Sequence, residues 1–151
     1  MKEMKKYLLL LAVIIFSCAG AMAFDKYSIN REDLPKEARE FLTKHFPKSR
    51  AAMVKVDKHL LRKTDYDVKL VNGTKIEFNN AGQWTSVDCK GREVPASIIP
   101  KSVQKYVKTN FPEETVIKID KKTTKYEVDL SGGIELTFDR LGNFKKMEFD
   151  D

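Results

Sequence analysis

Cysteine and histidine are scarce in this sequence of 151 residues, which contains two of each. Cys18 lies in an N-terminal apolar segment, so Cys89 has no partner for a disulfide within the rest of the chain. The several closely spaced Cys and His ligands of a zinc site are also missing. His45 is predicted to end a helix and His59 to lie in a loop, so neither indicates a nucleophile–base pair. These features argue against a disulfide scaffold, a zinc protein and an enzyme.

A concentrated basic patch and a phosphate-binding loop are also missing. The sequence has 28 Lys and Arg against 22 Asp and Glu, and the residues after position 23 retain 25 and 21, an excess of four. Because the lysines alternate with acidic residues, the charge pattern does not favour a nucleic-acid partner. Gly132-Gly133 is typical of a hairpin turn and not of a nucleotide-binding loop. No cofactor is therefore predicted.

The first 23 residues have the organisation of a secretory signal peptide. A basic start with three lysines precedes the apolar run 7–16, and small residues ending in Ala21-Met22-Ala23 follow. The apolar run is shorter than the about 20 residues of a membrane-spanning helix. We expect cleavage after Ala23 and a periplasmic location for residues 24–151, which have the length of one domain. The alternative is a lipoprotein acylated at Cys18, although the bulky Phe16 fits a lipoprotein signal poorly.

The strongest pattern after residue 24 is an internal duplication, with repeats at 34–89 and 99–149. Each repeat predicts one helix that begins near a Leu-Pro or Ile-Pro pair and ends at a Phe-Pro pair. Four strands with alternating apolar and polar residues follow each helix, separated by glycine-containing turns such as Asn72-Gly73, where both residues are expected to have positive φ. The matching segments are Leu34-Pro35 with Ile99-Pro100, Phe46-Pro47 with Phe111-Pro112, 66–70 with 126–130, Gly82 with Gly142, and Trp84 with Phe144.

This pattern predicts an α+β fold made of tandem αβ4 repeats. Short hairpins favour antiparallel neighbours, and strict alternation means that each strand buries one face only. We therefore expect one antiparallel sheet of about eight strands, with both helices packed on one face. Each half alone would expose a wide apolar face, so the two repeats are predicted to form a single domain.

These residues resemble the PepSY-like family of β-lactamase-inhibitor-like periplasmic proteins from Bacteroides-type bacteria. The resemblance is carried by the two Phe-Pro helix ends, the two Tyr-x-Val-x-Leu strands and the linker segment 88–95. It covers about residues 34–149 and implies the tandem αβ4 fold of a β-lactamase inhibitor. It does not imply inhibition, because no inhibitory contact residue can be matched to this sequence. The resemblance suggests a protein as the binding partner.

The charged candidate binding residues lie on the predicted solvent-facing side of the sheet, which the helices leave open. Side chains of both charges lie along the second strand of each repeat. Trp84 is the first residue of a fourth strand, where it is either a binding anchor or a packing residue. The candidates are Asp65, Asp67, Lys69, Lys125, Glu127, Asp129 and Trp84. An ordinary solvated sheet face explains the same charge pattern.

The favoured hypothesis is a non-enzymatic interaction protein that regulates or inhibits another exported protein through this open face. The alternative is a small-ligand or metal-ion binding protein that uses the acidic residues, although the ligand spacing of a calcium loop is absent at Asp65 and Asp67. A monomer or a weak dimer is expected, because edge strands of a long sheet can pair between molecules.

Overall fold

The computed structural model describes residues 25–58 and 64–150, so the predicted signal peptide, its cleavage site and His59 lie outside the described residues. The described elements are strands β1 (Lys26–Ser28), β2 (Ala51–Asp57), β3 (Asp65–Leu70), β4 (Lys75–Phe78), β5 (Trp84–Asp88), β6 (Val116–Lys121), β7 (Lys125–Leu130), β8 (Ile134–Asp139) and β9 (Phe144–Phe149), and helices α1 (Lys36–His45) and α2 (Lys101–Asn110). A short 3₁₀ turn, Arg31–Asp33, precedes α1. Within the described ranges, no helix is long and apolar enough to cross a membrane.

The nine strands form one antiparallel sheet in which spatial order equals sequence order. This confirms the predicted α+β fold, with β2–β5 belonging to the first repeat and β6–β9 to the second. β5 joins the repeats through the pair Val87–Ile119. The strand beyond the expected eight is β1, which pairs with β2 through Lys26–Val56 and two further positions. Its three residues are too few to show an alternating pattern.

Prolines flank both helices, as the sequence predicts, but Pro35 lies one position before the first helical turn and not within it. Pro35 and Pro100 occupy the N-cap positions, directly before the first helical residues. Each helix ends where the N–H of a phenylalanine donates to the last turn, Phe46 to the carbonyl of Leu42 and Phe111 to that of Val107. The prolines that follow these phenylalanines cannot continue the helical hydrogen bonding, so both helices stop there.

The turn Asn72-Gly73 lies where it was predicted, but only Gly73 has a positive φ, of 91°. The N–H of Gly73 donates to the carbonyl of Leu70, and the N–H of Leu70 donates to that of Thr74. This is a three-residue hairpin loop in which a type I turn is followed by a left-handed glycine. The expectation of two positive φ angles is therefore wrong, because the loop is one residue longer than a two-residue turn.

The core lies between the two helices and one face of the sheet. A single row of apolar side chains crosses the strands, running through Val54, Val68, Ile76, Val87, Ile119, Val128 and Leu136. All seven are buried, together with the inner helix residues Ala38, Leu42, Val103 and Val107. The aromatic packing is also duplicated, since Phe41 meets Phe78 edge-on at 5.5 Å and Tyr106 meets Phe138 edge-on at 5.4 Å. Both helices therefore cover the same face.

Candidate interaction surface on the open sheet face

The open face is the side of the sheet opposite α1 and α2. The strand register arranges its side chains in two rows that run across the strands. The first row consists of Tyr27, Lys55, Asp67, Glu77, Ser86, Asp120, Glu127, Thr137 and Lys146. The second row consists of Met53, Lys69, Lys75, Asp88, Lys118, Asp129, Glu135 and Glu148. The open face is therefore a continuous charged surface.

The six charged candidates predicted from the sequence lie in these rows or beside them. Asp67 and Glu127 belong to the first row, and Lys69 and Asp129 to the second. Asp65 and Lys125 start β3 and β7, opposite Asp57 and Asp139 respectively. Because four strand spacings separate β3 from β7, the two groups are about 19 Å apart. They form two clusters, one in each repeat, and not one site.

Trp84 lies on the other side of the sheet. It pairs with the buried Phe78 across a β-bulge, and its ring lies 6.3 Å from that of Phe41 on α1. The ammonium group of Lys121 sits over the indole, 4.5 Å from the ring centre, as in a cation–π contact. Trp84 is thus packed against the helix layer, and the structure separates it from the six charged candidates.

In the second repeat, the acidic candidate Glu127 is held by two lysines. Its carboxylate accepts hydrogen bonds from Lys122 at 2.6 Å and Lys125 at 2.5 Å, and these bonds lower its pKa. Asp129 has the opposite behaviour, since burial raises its pKa although the nearby Lys118 acts in the lowering direction. The two candidates therefore differ, because Glu127 has a strong internal partner and Asp129 carries a charge that burial disfavours.

The first repeat shows a related arrangement. Burial raises the pKa of Asp67, while Lys75, whose ammonium nitrogen is 4.0 Å from its carboxylate, opposes the effect. Lys75 is closer to Glu77, at 2.9 Å, and Lys55 is bound to Asp57 at 2.5 Å. Most of these groups are partly exposed, so the ion pairs contribute little to stability and can exchange for other partners.

The open face has two adjoining hollows over β4 and β5, where Thr85 and Ser86 are short and their neighbours are long. The central hollow has a volume of about 470 Å³ and is lined by five lysines, three acidic residues and two hydroxyl residues: Lys75, Glu77, Thr85, Ser86, Asp88, Lys90, Lys118, Asp120, Lys121 and Lys122. The second hollow, of about 340 Å³, shares Glu77 and Thr85 with it. Its charged lining is entirely acidic: Asp57, Asp65, Asp67 and Glu77. The lysine-lined hollow and the acidic hollow therefore lie side by side on the open face.

The groups considered for catalysis or metal binding are placed elsewhere. Cys89 is buried, and burial raises the pKa of its thiol. The ring nitrogen Nδ1 of His45 lies 2.7 Å from the hydroxyl of Ser97, a contact that sequence reasoning missed because 52 residues separate the two. Neither residue lines the two hollows. Among residues 25–58 and 64–150, no group of three or more His, Cys, Asp or Glu is arranged to hold a metal ion.

Comparison with known proteins agrees with this architecture. Residues 64–146 match the sequence model of the family described as "Putative beta-lactamase-inhibitor-like, PepSY-like". The chain belongs to the PepSY-like family. This confirms the resemblance predicted from the repeat and turn residues, although the match begins inside the first repeat.

Solved structures extend the similarity over most of the chain. A protein from Bacteroides vulgatus, described as a "putative periplasmic protein of unknown function", is 38% identical with a TM-score of 0.78, covering 83% of this chain and 99% of its own. A protein from Bacteroides thetaiotaomicron, described as a "putative calcium-regulated periplasmic protein", is 40% identical with a TM-score of 0.77, covering 82% of this chain and 96% of its own. Among curated proteins, none matches this chain.

Proposed function

We propose that this PepSY-like chain is an exported, non-enzymatic binding protein whose open face docks another exported protein. The signal-peptide pattern of residues 1–23 supports export with cleavage after Ala23, and tethering through Cys18 is the alternative. The periplasmic description of the relatives supports the same compartment. Residues 24–151 then act as one domain of two repeats, with 34–89 and 99–149 sharing a single sheet.

The observation that carries this proposal is the asymmetry of the sheet. Both described helices cover one face, whereas the opposite face displays two rows of charged residues on a rigid antiparallel sheet. A preformed surface loses little conformational freedom on binding, which favours affinity. Charged rows of this kind contribute mainly to partner selection and to the rate of encounter, because complementary potentials steer association.

The second row carries different charges at its two ends. Lys69 and Lys75 of the first repeat correspond to Asp129 and Glu135 of the second, at the same spacing of 60 residues. The two ends of the row therefore carry opposite charge, basic over β3–β4 and acidic over β7–β8. A partner surface is expected to present an acidic group and a basic group in the matching order, at a separation of about 19 Å.

A photocrosslinking experiment tests this function. A photoreactive residue at Ser86, in the central hollow, should capture one protein from a periplasmic extract, and the same residue at Lys105 on exposed α2 should not. Reversal of the second row by Lys69→Glu, Lys75→Glu, Asp129→Lys and Glu135→Lys should abolish the Ser86 crosslink. A control with unchanged net charge, Glu37→Lys with Lys108→Glu on the helix layer, should retain it. Equal capture at Ser86 and Lys105, or capture that survives row reversal, would refute the proposal.

Ion binding at the acidic hollow is the second candidate function. The four carboxylates around it are oxygen ligands of the type that calcium prefers, and a relative 40% identical is described as calcium-regulated. No three of these carboxylates are arranged around a common point in the described structure, so ion binding would require their side chains to move together. If this function is correct, millimolar calcium should raise the melting temperature more than magnesium does. Asp67→Asn with Glu77→Gln should remove that difference, while Glu135→Gln should leave it. Equal responses to both ions would show charge screening only.

A further inference from the structure

The outer edge of β9 is the second surface of interest. In the order of the sheet, β9 is the last strand, and no described strand pairs with its outer edge. The N–H of Asp150 donates to the carbonyl of Gly133 at 2.9 Å, so the backbone groups of position 150 face β8. Because these directions alternate along a strand, Lys146 and Glu148 also face β8. The backbone groups of Met147 and Phe149 consequently point away from the sheet.

The internal repeat shows how the corresponding edge is completed in the first repeat. β5 corresponds to β9, and its outward N–H at Cys89 donates to the carbonyl of Ile117 on β6 at 3.0 Å. Val87 and Cys89 are 0% and 3% exposed beside that neighbour. Their counterparts Met147 and Phe149 are 43% and 67% exposed. The edge of β9 thus keeps the apolar residues of a paired strand without a described neighbour.

The charges of β9 select one way of pairing. Lys146 and Glu148 lie on the open face, where they form an ion pair at 2.9 Å. In an antiparallel pair of two β9 strands centred on Met147, Lys146 lies opposite Glu148 of the other copy, and the symmetry repeats this contact. A pair centred on Lys146 or on Glu148 sets like charges directly opposite each other, which is unfavourable. Of these three registers, only the one centred on Met147 sets no like charges opposite each other.

We propose that β9 is a homodimerisation edge, which joins two copies through antiparallel pairing centred on Met147. The outward N–H of Met147 in each copy donates to the carbonyl of Met147 in the other copy. The Lys146–Glu148 contacts fall at non-hydrogen-bonded positions, where the Cα atoms approach to about 4.5 Å. Met147 and Phe149 of both copies lie on the helix side of the joint, and their exposed area is reduced there. The interface is isologous, so pairing closes after two copies.

This dimer differs from docking of an unrelated strand at the same edge. A strand from another protein would need only backbone groups and apolar residues, as in β-augmentation. A second copy also satisfies the Lys146–Glu148 pattern twice. The paired segment, residues 145–149, is about 17 Å long, so the interface is small and a weak dimer is expected. The inference does not depend on the open-face function.

Sedimentation equilibrium over a range of concentration, up to about 1 mM, tests the proposal. The unchanged protein should reach a dimer. Lys146→Glu and Glu148→Lys should each weaken association by about tenfold or more, because two attractive contacts become repulsive. The double variant Lys146→Glu with Glu148→Lys should restore the dimer. Lys105→Glu on α2 is the matched control and should associate normally.

Several outcomes would overturn the proposal. These are a monomer at every concentration, single variants that associate like the unchanged protein, and a double variant that stays as weak as the singles. Because both side chains are more than half exposed, the variants should fold, and a circular dichroism spectrum identical to that of the unchanged protein checks this.

Discussion

Gly82 offers a quantitative test of how the hairpin tips pack against the helices. Its φ is 83°, and a Cβ at this position would lie 2.8 Å from the Cβ of Pro35 and 3.0 Å from the backbone N of Ala38. These atoms belong to the start of α1 and cannot move aside as a flexible side chain can. Gly91 has nearly the same φ, 86°, but a Cβ there would meet nothing within 4 Å. The two glycines therefore separate backbone strain from steric contact.

The expected cost of Gly91→Ala is small. A left-handed non-glycine residue costs about 1–2 kcal/mol, and the stiffer unfolded chain returns about 0.4–1 kcal/mol. Gly82→Ala carries the same two contributions, and overpacking against α1 adds about 1–3 kcal/mol. The free energy of unfolding should consequently fall by about 1–3 kcal/mol more in Gly82→Ala than in Gly91→Ala.

Urea denaturation followed by the fluorescence of Trp84 measures this difference. The midpoints should separate while the slopes of the two transitions stay equal, since neither change alters the surface exposed on unfolding. Values that agree within about 0.5 kcal/mol would refute the reasoning, because steric contact with α1 would then contribute nothing.

Three further predictions concern the core and its titratable groups. Phe138→Ala should lower the free energy of unfolding by about 3–5 kcal/mol in a denaturant titration, because the ring is fully buried, whereas Leu141→Ala at an 84% exposed turn should change it little. Burial raises the pKa of Asp67 above its ordinary value of 3.8. The ionised carboxylate therefore destabilises the folded state at pH values above that raised pKa. Asp67→Asn should therefore be more stable than the unchanged protein at pH 7 in thermal melts, and the gain should vanish as the pH falls to 3.8; a gain that persists at low pH would contradict this explanation. In a Cys18→Ser background, the buried Cys89 should react with a thiol reagent only in denaturant, and rapid labelling of the folded protein would contradict its position.

The sequence determined the architecture because its signals are local and occur twice. Proline at both ends of each helix, alternation along eight strands and glycine in the turns each act on neighbouring residues. Duplication made the signals mutually consistent, so the order of elements and the antiparallel sheet could be predicted. β1 escaped prediction because its place depends on pairing with β2, and three residues carry no pattern of their own.

Only the tertiary structure decided how the candidate residues group. Asp67 and Glu127 are equivalent in sequence, but the width of the sheet places them in separate clusters. Alternation from the buried Val87 would put Trp84 on the open face, yet the bulge between β4 and β5 moves it to the helix side. A bulge adds one residue to one strand, so the residues of that strand on the far side of the bulge face the opposite side of the sheet. The position of a bulge depends on the partner strand and not on local sequence.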